Sequence, residues 1–103
     1  MKPIVLSSAR DDLKEIRDRL SEFGSTPPMK FRESFVKFCN NVDNLPCMYA
    51  QYELIPKYHR AVIEYDYLVF YQVEENDGVK RAKMFRVLHG KRDVLTLLDA
   101  VDD

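Results

Sequence analysis

A tight turn between two long apolar runs constrains this chain more than any other feature. Residues 67–93 read Y-L-V-F-Y-Q-V-E-E-N-D-G-V-K-R-A-K-M-F-R-V-L-H-G-K-R-D, with strand-forming Val, Tyr, Phe and Leu on both sides of Glu75-Asn76-Asp77-Gly78. Asp-Gly supplies the positive φ angles that a two-residue hairpin turn demands, so the stretch predicts a β-hairpin. Its second strand ends at His89-Gly90 and runs into Lys91-Arg92. A cluster of donors is thereby delivered to one end of a sheet, where it suits an anionic or polar partner.

The preceding residues predict the support for that hairpin. Pro3–Leu6 is short, apolar and β-branched and predicts a short strand, with Ser7-Ser8 available to cap a helix. Ala9, Leu13, Ile16, Leu20 and Phe23 then recur at the spacing of one helical face, which predicts an amphipathic helix over 9–23. Asp11 and Asp12 are expected in its first turn and Gly24 at its stop. Ser25-Thr26-Pro27-Pro28 is a second start signal, and Phe31, Phe35, Phe38 and Val42 mark the buried stripe of a helix over 28–43. So short a connection implies an antiparallel helical hairpin. Met48–Pro56 is apolar without a clean period and reads as a packed connection. Residues 57–63 resume a strand pattern, 64–66 form a turn, and Val94–Val101 reads as a short helix or a docked apolar tail. The predicted fold is α+β: a helical hairpin packed on a small antiparallel β-sheet spanning about 58–89, in a single domain over 1–103.

Composition narrows the function. Hydrophobic residues make up 46% of the 103 and charged residues 32%, and no apolar run approaches the roughly 18–20 residues of a membrane helix. The amino-terminal apolar run is too short for a signal peptide, which predicts a cytoplasmic protein. Cys39 and Cys47 match no CxxC pair, and with His59 and His89 no zinc pattern, so both read as reduced structural residues and no metal or cofactor is expected. Residues 57–92 hold eight basic and five acidic side chains, whereas 93–103 hold four acidic and no basic ones. That local excess is weaker than a dedicated nucleic-acid binder carries, and it favours a protein partner.

No Ser-His-Asp, metal-ligand or phosphate-loop pattern is present. His59 begins one strand and His89 ends another, so the two either reach one rim of the sheet or are ordinary strand-end residues. Arg86 can carry its charge across the sheet or pair with a carboxylate such as Glu64, and Lys91 and Arg92 form an exposed basic pair or a solvated turn.

The order of short strand, helical hairpin and three-stranded meander, together with Tyr67–Val73 and Arg86–Asp93, resembles the RelE/ParE superfamily of bacterial type II toxin–antitoxin toxins. Ser8–Ile16 is similar to that family's opening helix. The resemblance implies a tightly bound cognate antitoxin, with a segment that wraps the toxin over the Met48–Ile55 stretch and adds a strand to the sheet, and a role in plasmid stabilisation. RelE-like members cleave messenger RNA on the ribosome with basic sheet residues and a late tyrosine or histidine. Aligned with them, this chain has Leu68 at the strand arginine and Leu98 at the late tyrosine, and retains only Arg92. ParE-like members lack the nuclease set and poison DNA gyrase by binding, and the chain looks more like them. The resemblance therefore implies no catalytic residues, with Arg86, His89, Lys91 and Arg92 as the target-binding set. An altered nuclease set of His59, Arg86, His89 and Arg92 is the alternative, and a toxin fold that only binds an antitoxin is a third.

Overall fold

The predicted hairpin forms the middle of the sheet in the computed structural model, which describes residues 2–99. Strands β3 (Tyr67–Asn76) and β4 (Val79–His89) pair antiparallel, and Asp77 and Gly78 turn between them at φ 53° and 79°, the left-handed values that an Asp-Gly turn accommodates. Strand β2 (His59–Ile63) pairs antiparallel on the far side of β3, with His59 opposite Tyr71 and Ile63 opposite Tyr67. Strand β1 (Ile4–Val5) lies parallel to β4, giving the order β1-β4-β3-β2. The antiparallel meander over 59–89 is as expected, and β1, whose pairing the sequence left open, adds a parallel edge that makes the sheet mixed. Parallel pairing follows from the connectivity, because the helices carry the chain from β1 across to the opposite edge before the meander begins.

Helix α1 spans Ser7–Ser21 and α2 spans Thr26–Asn44, each beginning about two residues earlier than the apolar spacing predicts. Ser7 and Ser8 are thus helical residues and not caps, and Asp11 and Asp12 fall in the second turn. The early stop matters more. Backbone bonds from Glu22, Phe23 and Gly24 tighten onto Arg19, Leu20 and Ser21, and Gly24 adopts φ 107°. Phe23 is thrown off the buried face and stands 74% exposed, against the expectation that it continues the stripe.

Alternation along β3 sorts its side chains between two cores. Tyr67, Val69, Tyr71 and Val73 face the helices and pack with Ile16, Leu20, Phe31 and Phe38, with Leu13 and Phe35 half-buried beside them. Phe38 touches Tyr49 and Tyr71 at ring-centroid distances of 5.4 and 5.6 Å, and burying it contributes about 1.5–3 kcal/mol. Leu68 and Phe70 face the other way. They meet Tyr58, Phe85 and Leu88 together with Val94 and Leu98 from a short helix α3 (Val94–Asp99), while Tyr52 and Ile55 of the irregular 48–58 segment close the rest of that face. Residues 100–101 of the predicted carboxyl-terminal helix or docked tail lie outside the described residues. A bulge at Phe70/Tyr71 shifts the register with β4, so that Met84 and Val87 both face the helices.

Candidate functional site

Beyond β1, the outer edge of β4 is closed by side chains of α1. Leu6 N–H donates to the Met84 carbonyl at 3.1 Å, the Ser8 hydroxyl to the Phe85 carbonyl at 2.7 Å, and Val87 N–H to Asp12 Oδ2 at 2.9 Å. One helical turn separates Ser8 from Asp12, so a single face supplies both a donor and an acceptor to the strand. Arg86 lies between them and donates from Nε and Nη2 to the two oxygens of Asp12 at 2.7 and 2.9 Å. Its Nη1 reaches the Leu97 carbonyl of α3 at 3.4 Å, and the hydrogen bonds to Asp12 hold the guanidinium even more firmly charged than usual. Arg86 is therefore a mostly buried tie between α1, β4 and α3, and its partner is Asp12 instead of Glu64. Glu64 is an exposed residue whose N–H donates to Ser34 Oγ at 3.2 Å.

The two histidines do not share a rim. His59 stands opposite Tyr71 and His89 opposite Tyr67, four residues apart on β3 and so about 13 Å apart along the strand. His59 stacks on Tyr71 at 5.1 Å and contacts the Tyr49 carbonyl through Nδ1 at 2.7 Å, a contact that places its proton on Nδ1. The ring is half-buried by these contacts. His89 sits edge-on to Tyr67 at 5.1 Å and accepts from Lys91 N–H at Nδ1, 3.2 Å, which leaves its proton on Nε2.

His89, Lys91 and Arg92 gather at the end of the sheet as expected, but in company that the sequence did not indicate. A narrow crevice of about 10 Å³, room for one water, joins His89 and Arg92 to Glu15 and Arg19 of α1. Beside it opens a pocket of about 410 Å³ lined by Arg19, Leu20, Phe23, Pro27, Tyr65, Tyr67 and His89. Tyr65 and Asp66 make this corner unusual, since both are non-glycine residues in the left-handed region, at φ 62° and 60°. Such conformations cost on the order of 1–3 kcal/mol each and persist where the surroundings fix them. Gly90 N–H fixes this one by donating to the Asp66 carbonyl at 2.9 Å, and a β-carbon on Gly90 would meet that carbonyl oxygen at 3.3 Å. Glu64-Tyr65-Asp66 contains no glycine or asparagine to mark a left-handed turn, so the sequence carried no signal for this strain, and Phe23 read as one more apolar position of the helix.

A second open surface lies on the outer side of the helical hairpin. Leu13, Met29, Phe31 and Phe35 line a groove of about 740 Å³ bordered by Arg10, Lys14, Arg17 and Arg32 against the single acid Asp11. The 48–55 stretch is divided. Tyr49 and Tyr52 pack into the cores, while Met48 and Leu54 are 51% and 64% exposed. Both cysteines are free thiols, Cys39 half-buried and pushed by burial up to about 11, and Cys47 exposed. No described helix is long and apolar enough to cross a membrane.

The fold is that of a RelE/ParE superfamily toxin. The chain belongs to the family described as the ParE toxin of type II toxin–antitoxin system, parDE, whose profile matches residues 4–94. In structure it is similar to a YoeB/ParE toxin from Agrobacterium tumefaciens, with a TM-score of 0.61 over 86% of this chain and 98% of that one; at 14% identity this likeness speaks to fold alone. No curated protein sequence matches significantly. Family membership implies an antitoxin as partner.

Proposed function

We propose that the chain arrests growth by binding and poisoning DNA gyrase, and not by cutting messenger RNA. One observation carries this reading: Leu68 and Leu98 pack into the same apolar cluster on the face of the sheet that α3 and the 48–58 segment close. Neither side chain can move a proton or stabilise a phosphorane, and losing one such group typically lowers a rate by about 10²–10⁴-fold. The geometry of the alternative set supports the same conclusion. His59 and His89 stand at opposite ends of the strands, Arg86 is tied to Asp12, and only His89 and Arg92 line one crevice. Binding needs an oriented exposed surface, and His89, Lys91 and Arg92 supply one.

The antitoxin is a separate partner with a separate surface. The groove along α1 and α2, apolar at its floor and cationic at its rim, fits an acidic amphipathic segment and leaves the sheet end accessible. Two assays on purified protein test the reading: DNA supercoiling by gyrase, expected to be inhibited, and messenger RNA cleavage on translating ribosomes, expected to be unaffected. Ribosomal cleavage without any change in supercoiling would reverse it.

A further inference from the structure

We propose that the open pocket at the end of the sheet is the contact by which the toxin grips its protein target, and that it takes an acidic segment bearing one aromatic or branched aliphatic side chain. Gyrase as the target rests on the reading above; the pocket and the chemistry of its ligand rest on the following geometry.

At about 410 Å³ the pocket lies in the range of roughly 300–1,000 Å³ typical of ligand sites. Its floor is the Tyr67–His89 ring pair, and its walls include Phe23, 74% exposed, and Tyr65, 37% exposed. Exposed aromatics around a recess are the kind of surface on which interface energy concentrates. The guest's charge follows from the donors. Arg19 and His89 line the pocket and no carboxylate does, while Arg92, in the adjoining crevice, has a guanidinium with no ion pair to any described residue. Glu15 and Arg19 neutralise each other at 3.3 Å, as do Asp12 and Arg86 at 2.7 Å, so the charge left over in this corner is that of Arg92. His89 adds an Nε2–H donor, because its Nδ1 already accepts from Lys91. Donors in excess beside an apolar recess match a carboxylate next to an apolar side chain, and they disfavour a basic segment.

The strained turn adds an independent reason. A glycine at position 65 would relax φ 62°, yet the chain holds a tyrosine there, on the wall of this pocket. The turn thus holds a large aromatic at the mouth of the recess at a cost in backbone strain, a pattern that clusters at ligand-gripping sites.

The test compares the full chain with Phe23→Ser and Tyr65→Gly, using Leu45→Ser, at an exposed site at the end of α2, as a control for surface change. Growth arrest on induction, inhibition of gyrase supercoiling and melting temperature are read on each. Both pocket variants are expected to lose at least tenfold in inhibition and arrest, the control to keep both, and Phe23→Ser, at a position 74% exposed, to melt close to the parent. Supercoiling inhibited equally by parent and pocket variants would overturn the pocket and leave the gyrase reading standing. A parent that arrests growth without touching supercoiling would instead remove gyrase as the target. Loss of arrest in the pocket variants at unchanged melting temperature would then still support the pocket, and unchanged arrest would overturn it. Retention by linear DNA alone, lost in the same variants, would replace the acidic segment with a nucleic acid and overturn the proposal.

Discussion

The two outer edges of the sheet are finished in opposite ways. Past β1, the β4 edge is bonded into α1 through Ser8 and Asp12, with Arg86 drawn in behind them. Among the described residues the β2 edge is met at its ends, where the Ala50 carbonyl accepts Arg60 N–H at 3.1 Å and Ser34 Oγ accepts Glu64 N–H at 3.2 Å, with Val62 left 59% exposed between them. An edge that locates a helix has to satisfy its polar groups, because an unpaired buried N–H or carbonyl costs about 1–3 kcal/mol. An edge that faces water has no such obligation. The contrast teaches where change is tolerated: the β4 side fixes the architecture, and the β2 side, with the strained turn that follows it, is free to be shaped for partners.

The most severe way to break this contrast is Asp12→Ala. It leaves a mostly buried guanidinium and the Val87 N–H without their acceptor, and should destabilise the fold by about 3–5 kcal/mol in urea denaturation. Replacing Asp12 and Arg86 together by leucine should recover part of that loss, since the charge goes with its partner and what remains is the Val87 N–H and the Leu97 carbonyl without these side-chain partners. A double variant no more stable than Asp12→Ala would show that the tie contributes through packing and not through charge.

A smaller effect is expected at the exposed end. Lys91→Ala with Arg92→Ala should weaken gyrase inhibition about tenfold while shifting stability by no more than roughly 0.5 kcal/mol, because both side chains are exposed. Equal inhibition by the parent and this variant would remove the basic rim from the target contact.

The difference between the two sides also marks what could be read from the sequence. Periodicity exposed both helices, and Asp-Gly exposed the hairpin, because local spacing and local turn chemistry decide those elements. Asp12 looked like one more charge on a solvated helix face. Its partners, Arg86 and Val87, are 74 and 75 positions away, and no local pattern carries that information. The parallel pairing of β1 was hidden for the same reason, as was the bulge at Phe70/Tyr71. His89, Lys91 and Arg92 were visible as a basic strand end. Arg19, Phe23 and Tyr65 were not, since only the folded chain brings a helix terminus, a turn and a strand end to one corner.

High pH should act on the helix-facing core between the edges. Burial pushes the Cys39 thiol from 9.0 up to about 11 and the Tyr71 phenol from 10.0 up to about 12. Between each pair of values the unfolded chain has lost a proton that the folded chain keeps, so the unfolded state binds fewer protons and stability falls as pH rises. With partial exposure discounted, the loss from pH 9 to pH 12 should be roughly 1–2 kcal/mol. Tyr71→Phe should flatten its upper part, at the cost of the hydroxyl's 2.9 Å bond to the Pro46 carbonyl. A profile that is flat to pH 12 in the parent would contradict this account.

The smallest pair of effects compares the two edges directly. Ser8→Ala removes the donor to the Phe85 carbonyl at a partly buried site and should cost about 1 kcal/mol. Val62→Lys changes more atoms but should fall within roughly ±0.5 kcal/mol, since the side chain already stands in water and a charge on an open strand suits it. Size of substitution and size of effect should thus run in opposite order, because what differs is whether the neighbouring backbone has another partner. Val62 stands largely in water, whereas α1 partly covers the Phe85 carbonyl and limits solvent access to it. Chemical denaturation of the two variants side by side measures this. A larger loss for Val62→Lys than for Ser8→Ala would mean that the β2 edge also supports the fold, and that the sheet has no free side for a partner to use.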